Sequence, residues 1–177
     1  VQVQPDDADW DAGDIRYNVL RWTSSPNPPF GGYGPSFVNP RTGQILGADI
    51  MLEFVYFTNR VKYEKIFDTF SAADNGPVSG HVCQAGEITQ RGNLFASMAA
   101  SSTGDYSELE QHRIIYESLV RLTLHEVGHT LGLSHNFFSS QLHSLNNIHD
   151  RHITEPVGLS SSVMDYNTAN VGPDPKH

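Results

Sequence analysis

The stretch from Leu124 to His135, which reads LHEVGHTLGLSH, constrains the fold more than any other part of the chain. His125 and His129 are four residues apart, and side chains with that spacing share one face of an α-helix, with Cβ atoms roughly 5–6 Å apart. Their imidazoles can therefore converge on one metal ion, as two ligands of a tetrahedral zinc do at Zn–N distances of about 2.0 Å.

His135 can join the same ion only if the helix ends before it, because six further residues of helix would carry it roughly 9 Å along the axis. Gly132 lies between, and glycine adopts the left-handed conformation that ends a helix without a Cβ penalty. We therefore predict a helix, a break at Gly132 and a third ligand, His135. Three protein ligands leave a fourth position for water, which is typical of catalytic zinc.

Glu126 is next to a predicted ligand and one residue further round the helix. Its carboxylate can reach a water at the metal without binding the metal itself, which is the placement that a general base and acid needs. The simpler interpretation is a solvated helix carboxylate between ordinary histidines, and the extended spacing of the motif argues against it.

Composition limits the partners and the class of protein. The 177 residues suffice for one domain with a core, and the net charge of −9 argues against nucleic acid or an anionic membrane as partner. No apolar run approaches the ~18 residues of a membrane span. The single cysteine, Cys83, excludes an internal disulfide, and we expect it to be a small buried side chain without a nucleophilic role.

The N-terminal half predicts β-structure. Ile15 to Thr23 is rich in β-formers and predicts a strand, and Ser24 to Pro35 holds enough Pro and Gly to predict a loop. Ser36 to Asn39 and Ile45 to Phe54 flank a Pro-Arg-Thr-Gly turn at Pro40 to Gly43, which predicts an antiparallel hairpin.

The following segments predict helices. Thr58 or Asn59 begins one that reaches about Ala73, and Val82 to about Ala100 reads as a second that is interrupted at Gly92. Apolar spacing predicts a long third helix from about Ser107 to Leu131, which carries the first two histidines. Asn136 to Ser162 predicts a long loop with room for a short helix.

These residues resemble a known family. HEVGHTLGLSH matches HExxHxxGxxH, the zinc signature of the metzincin metalloproteases, and SSVMDY at Ser161 to Tyr166 is similar to their methionine turn. The chain further resembles large bacterial zinc-dependent metalloproteases with an embedded metzincin catalytic domain. The segments that carry this likeness are Ile15 to Asn18, Pro40 to Gly43, Ala48 to Ile50, His125 to Phe138 and Ser162 to Asn167.

The resemblance implies an α+β, metzincin-like (zincin) fold, in which a small mixed, twisted sheet packs on a long active-site helix and the C-terminal subdomain is mostly irregular. We expect one catalytic domain over 1–177, with an N-terminal part at 1–132 and a C-terminal part at 133–177. It lacks the family's opening strand and helix, so we expect a fragment whose partners include other domains of a longer parent chain. The implied location is secreted, periplasmic or cell-surface, in bacteria.

The resemblance also assigns roles. One catalytic Zn²⁺ is implied, with Met164 as the hydrophobic floor beneath its histidines; calcium is an alternative ion that no EF-hand pattern supports. Tyr166 is either a donor to the developing oxyanion or a packing tyrosine. Asp165 is expected to be structural or to orient the ligands. An arm of the hairpin resembles the strand above the cleft that pairs with extended peptides, unless it is an ordinary edge strand; it comprises Gly34, Pro35, Ser36, Phe37, Val38 and Asn39.

Three hypotheses for function follow. The first is a zinc-dependent endopeptidase that acts on peptide or protein substrates. The second is a zinc-binding fragment that serves as a peptide-recognition or structural module without turnover, and the third is a metal-dependent hydrolase of a non-peptide bond. We expect the remaining histidines to be solvated or structural: His81, His112, His143, His149, His152 and His177.

Overall fold

The computed structural model describes residues 1–24, 31–54, 83–103 and 107–172. The predicted helix beginning at Thr58 or Asn59 lies outside these residues. The elements, in chain order, are β1 (Val19–Thr23), β2 (Gly32–Tyr33), β3 (Ser36–Val38), β4 (Ile45–Glu53), α1 (Ala85–Thr103), α2 (Glu108–Thr130), a 3₁₀-helix (Phe137–Leu142) and α3 (Arg151–Val157). This is the predicted α+β class.

The sheet is small, mixed and centred on β4. On one side β1 pairs with β4 in parallel, and on the other side β2 and β3 pair with it antiparallel. Gly32 lies opposite Leu52 and Phe37 opposite Gly47, so β2 and β3 share one register. They are two pieces of one strand that is interrupted at Gly34 and Pro35.

The predicted hairpin is present, with the turn where the sequence placed it. The amide of Asn39 donates to the carbonyl of Gln44 at 2.8 Å, and the amide of Gly43 donates back to Asn39 at the same distance. Gly43 has φ +74°, a left-handed conformation that glycine adopts without strain.

Three local predictions of secondary structure were wrong. The first strand begins at Val19 rather than Ile15, because Asp14 accepts hydrogen bonds from the amides of Arg16 and Tyr17 and holds a turn there. The predicted loop from Ser24 to Pro35 contains β2. α1 also continues through Gly92, where a Cβ would lie 3.0 Å from the backbone nitrogen of Ala169. A close approach of two segments, rather than a break, accounts for that glycine.

The long helix is confirmed as α2, which runs for 23 residues. Its apolar face meets the sheet and the start of α1, and Leu122 lies at the centre of a core cluster with Ile50, Leu52, Cys83 and Ala85. The contact between the two long helices is partly polar, since the hydroxyl of Ser118 donates to the side-chain oxygen of Asn93 at 2.7 Å. α2 therefore packs against both the sheet and α1, and its C-terminal end carries two of the predicted metal ligands.

The C-terminal part is mostly irregular, as the resemblance implied. Beyond α2 the regular elements among its described residues, 133–172, are the 3₁₀-helix and the seven residues of α3. Among the helices described, none combines the length and the apolar character needed to cross a membrane.

Candidate metal centre

The C-terminal end of α2 has the hydrogen bonds of a Schellman motif. The amide of Leu133 donates to the carbonyl of Gly128 at 3.0 Å, and the amide of Gly132 donates to His129 at 2.9 Å. Gly132 has φ +86°, as its predicted role as helix breaker requires. The chain turns back, and the Nε2 atoms of His129 and His135 come within 3.1 Å of each other.

Backbone carbonyls orient two of the three predicted histidine ligands. Nδ1 of His125 donates to the carbonyl of Val163 at 2.7 Å, and Nδ1 of His129 donates to that of Leu133 at 3.0 Å. Because a carbonyl only accepts, each ring carries its proton on Nδ1 and leaves a lone pair on Nε2, the atom that faces the cluster. Burial also lowers the pKa of His125 to about 4, so this ring is neutral near pH 7, the form that a metal ligand needs.

Met164 is only 2% exposed and packs against α2 at Gly128, next to His129, and its role as the floor of the site stays a prediction. Its carbonyl accepts from the amide of Asn136 at 3.0 Å, which joins the methionine turn to the segment that follows His135. A Cβ placed on Gly128 would collide with the Met164 sulfur. The glycine inside the HEVGH motif thus lets α2 rest directly on the methionine.

Glu126 is 0% exposed, and neither carboxylate oxygen makes a hydrogen bond to a described residue. A Cβ placed on Gly32 would lie 2.7 Å from Oε1, so the strand passes directly over this side chain. Burial raises the pKa of Glu126 to about 7, and the nearby thiol of Cys83 and amide of Gly34 offset part of that rise. A buried carboxylate without a partner is costly, and such groups are concentrated at functional sites.

Cys83 is buried as predicted, but it is also part of the cluster. Its Sγ lies 3.3 Å from Nε2 of His125 and 3.6 Å from Nε2 of His135. One donor atom from each of Cys83, His125, His129 and His135 lies within 4.8 Å of the others. Burial, reinforced by Glu126, raises the pKa of the thiol to about 11. No local motif surrounds Cys83 in the sequence, so only the tertiary structure shows this proximity.

Tyr166 also reaches the cluster. Its hydroxyl accepts from the amide of Gln84 at 3.1 Å and lies 2.9 Å from Nε2 of His135 and 3.5 Å from the Cys83 sulfur. Burial raises the pKa of this phenol above its ordinary value, so it is a hydrogen-bond donor at neutral pH. Its ring packs against the core as well, so the two predicted interpretations are compatible.

Asp165 does not orient the histidines. Its Oδ2 accepts from the hydroxyls of Ser139 at 2.9 Å and Ser140 at 2.5 Å, and its Oδ1 accepts from the amide of Tyr166 at 2.8 Å. Asp165 therefore joins the 3₁₀-helix to the methionine turn. Of its two predicted roles, these contacts agree with the structural one. The orienting role falls to the backbone carbonyls described above.

The predicted substrate strand, Gly34 to Asn39, lies beside α2. A Cβ on Gly34 would lie 2.6 Å from the carbonyl oxygen of Glu126, so only glycine permits this approach. Among the described residues β3 pairs with β4 alone, and Phe37 and Val38 are both exposed. The position suits a strand that guides a peptide, and the role itself stays a prediction.

The other histidines differ in position. His112, His143, His149 and His152 are not in the cluster, and His81 and His177 lie outside the described residues. Three imidazoles and a thiol are donors that zinc prefers, whereas calcium takes oxygen ligands. The described part of the chain holds no second group of three or more such side chains close enough to share an ion. The donor set therefore fits zinc.

Residues 107–177 match a family model described as Met-zincin. Comparisons with curated proteins and with solved structures found no significant match. The matched segment contains α2, the three histidines, Glu126 and Met164, whereas Cys83 and the sheet precede it. The family match and the geometry of the donor atoms together support a metzincin-like zinc domain.

Proposed function

We propose that this chain is the catalytic domain of a zinc-dependent endopeptidase. The observation that carries the proposal is the position of Glu126, a fully buried carboxylate without a partner among the described residues, next to three imidazoles that share one centre. Helix α2 supplies two of these rings and the carboxylate, and the turn at Gly132 supplies the third ring. A zinc site with only a structural role would not need a carboxylate that acts as a general base.

A zinc ion held by His125, His129 and His135 would supply Lewis acidity, which polarises a substrate carbonyl and acidifies water. Glu126 takes a proton from the attacking water and transfers it to the amine that leaves when the C–N bond breaks. In the zinc-free protein burial raises the pKa of Glu126 to about 7, which favours the protonated form that returns the proton, whereas a nearby zinc ion favours the carboxylate that accepts it.

The strand above Glu126 supports a peptide as the substrate class. Gly34 touches α2 beside Glu126, and β3 continues from there along β4. An extended peptide can add to the outer edge of such a strand through main-chain hydrogen bonds. This arrangement would hold the scissile carbonyl against the cluster, with the O–H of Tyr166 available as a donor to the developing oxyanion.

A second function is favoured by Cys83. A zinc bound by three histidines and a cysteine has four protein ligands, which is typical of structural sites. On that basis the alternative is a zinc-binding module that recognises a peptide without cleaving it.

Metal analysis combined with hydrolysis of casein tests the proposal. We expect one zinc per chain and cleavage by the wild type. Glu126→Gln should retain the zinc and lose on the order of 10²- to 10⁴-fold in rate, the usual contribution of a general base. Glu108→Gln, at an exposed position of the same helix, is the matched control. Zinc bound without cleavage by either the wild type or Cys83→Ala would refute the peptidase and favour the module.

A further inference from the structure

The donor atoms of the cluster all lie within 4.8 Å of one another, and three of their separations are close to those of a tetrahedral zinc site. With Zn–N near 2.0–2.1 Å and Zn–S near 2.3 Å, tetrahedral geometry places two nitrogens roughly 3.3 Å apart and sulfur and nitrogen roughly 3.6 Å apart. The His129–His135 separation is 3.1 Å, and Cys83 Sγ lies 3.3 Å from His125 and 3.6 Å from His135. Sulfur thus lies close enough to two of the imidazoles to take the corner that a site of three histidines leaves to water.

The surroundings of Cys83 hold its sulfur in that position. The residue is 7% exposed and belongs to the core cluster formed with Ile50, Leu52 and Leu122. Helix α1 begins two residues later, and the intervening amide of Gln84 donates to the Tyr166 hydroxyl. A cysteine that served only as core packing would not need to meet two imidazole nitrogens.

Tyr166 is the competing occupant of the fourth corner, because its oxygen lies 2.9 Å from Nε2 of His135. Zinc in proteins takes Cys, His, Asp and Glu ligands, and its borderline-soft character suits thiolate. If Nε2 of His135 binds the metal, its lone pair no longer accepts a hydrogen bond. The O–H of Tyr166 is then available to the Cys83 sulfur at 3.5 Å, where it would stabilise a thiolate.

We propose that Cys83 is a fourth protein ligand that closes the zinc site, and that hydrolysis requires its sulfur to leave the metal; this regulation rests on the proposed peptidase function. When the sulfur–zinc bond forms, the thiol loses its proton to solvent. When water displaces the sulfur, the thiolate takes a proton back. No change of oxidation state is involved, so displacement of the sulfur by water is sufficient to open the site.

Zinc-edge X-ray absorption of the wild-type zinc protein tests the ligand assignment without any substitution. We expect one sulfur at about 2.3 Å together with nitrogens at about 2.0 Å. A first shell that contains only nitrogen and oxygen would overturn the proposal, and the three-histidine site and the peptidase would remain.

Cobalt substitution identifies the residue. Wild-type protein with Co²⁺ should show the near-ultraviolet thiolate-to-cobalt charge-transfer band. Cys83→Ala should lack that band, and Tyr166→Phe should keep it, because it removes only the competing oxygen. A band that persists in Cys83→Ala would refute the assignment, since the chain has no other cysteine.

Casein cleavage by variants tests whether Cys83 closes the zinc site. Cys83→Ala and Cys83→Ser should bind zinc more weakly and cleave casein about tenfold faster or more, as expected if the open site makes up ~10% or less of the wild type. Tyr166→Phe, which retains the thiol, should not show this gain. Sulfur ligation without a rate gain in either cysteine variant would overturn the closure, and no hydrolysis by wild type or variants would overturn the peptidase as well. Should both cysteine variants fail to fold, the absorption result on the wild type still decides ligation.

Discussion

Replacing Glu126 with glutamine should stabilise the zinc-free protein, and the gain should grow with pH. The carboxylate is fully buried and has no hydrogen-bond partner among the described residues, so the folded state opposes its ionisation. A neutral amide of the same shape removes that opposition. The amide is also buried without a partner, but its cost does not depend on pH, so it cancels when two pH values are compared.

The size of the effect follows from the pKa of Glu126, which burial raises from 4.5 to about 7. A raised acid pKa means that the folded state binds the proton more tightly, so the wild type loses stability as pH rises from 4.5 to 7. The loss is about 1 kcal/mol at pH 5 and about 3 kcal/mol at pH 8. The stabilisation by Glu126→Gln should therefore be about 2 kcal/mol larger at pH 8 than at pH 5.

His125 acts in the opposite direction over an overlapping range. Its pKa is lowered from 6.5 to about 4, so the folded state loses stability as pH falls through that interval. In the wild type the two contributions partly cancel. The unfolding free energy of Glu126→Gln should consequently rise more steeply between pH 4 and 6.5 than that of the wild type.

Urea unfolding at several pH values, in the presence of a chelator, measures these differences. Glu108→Gln is the matched control, because an exposed carboxylate on the same helix stays hydrated in both states. Added zinc should reduce the pH-dependent gain, since a nearby cation favours the ionised carboxylate. If the stability difference between Glu126→Gln and wild type were the same at pH 5 and pH 8, the burial argument for this residue would be refuted.

Three further predictions concern the end of α2. His129→Ala should abolish stoichiometric zinc binding in competition with a chromogenic chelator, while His112→Ala, outside the cluster, should not. Gly128→Ala should destabilise the protein by about 1–3 kcal/mol in thermal unfolding, because the new methyl group collides with the Met164 sulfur. Helix propensity alone would favour alanine at this position. An equal loss of stability in a Met164→Ala background would contradict this cause. Gly132→Ala should lower the free energy of unfolding in urea by about 1–2 kcal/mol, because alanine is strained at φ +86°. A steric clash does not contribute, since the new Cβ would meet nothing closer than 3.5 Å. An unchanged urea midpoint would contradict the strain.

Local pattern in the sequence determined the elements that carry the site. Apolar spacing and the position of Gly132 predicted the long helix and its end within a residue, because both depend on interactions within a few turns of chain. The turn at Pro40 to Gly43 predicted the hairpin for the same reason. Where a local turn competed with the pattern, as at Asp14, the strand began later than predicted.

The remaining features depend on contacts between segments that are far apart in the chain. The spacing of the motif already predicted that His125, His129 and His135 converge, whereas the carbonyl of Val163 orients His125 across 38 residues. Cys83 reaches His125 across 42 residues, which no local spacing signals. The burial of Glu126 also depends on a distant segment. The strand that covers it includes Gly32, where the sequence predicted a loop. The sequence by itself determined that His125, His129 and His135 can converge on a metal. Packing of the sheet and α1 against α2 brought Cys83 to them and left Glu126 buried without a partner among the described residues.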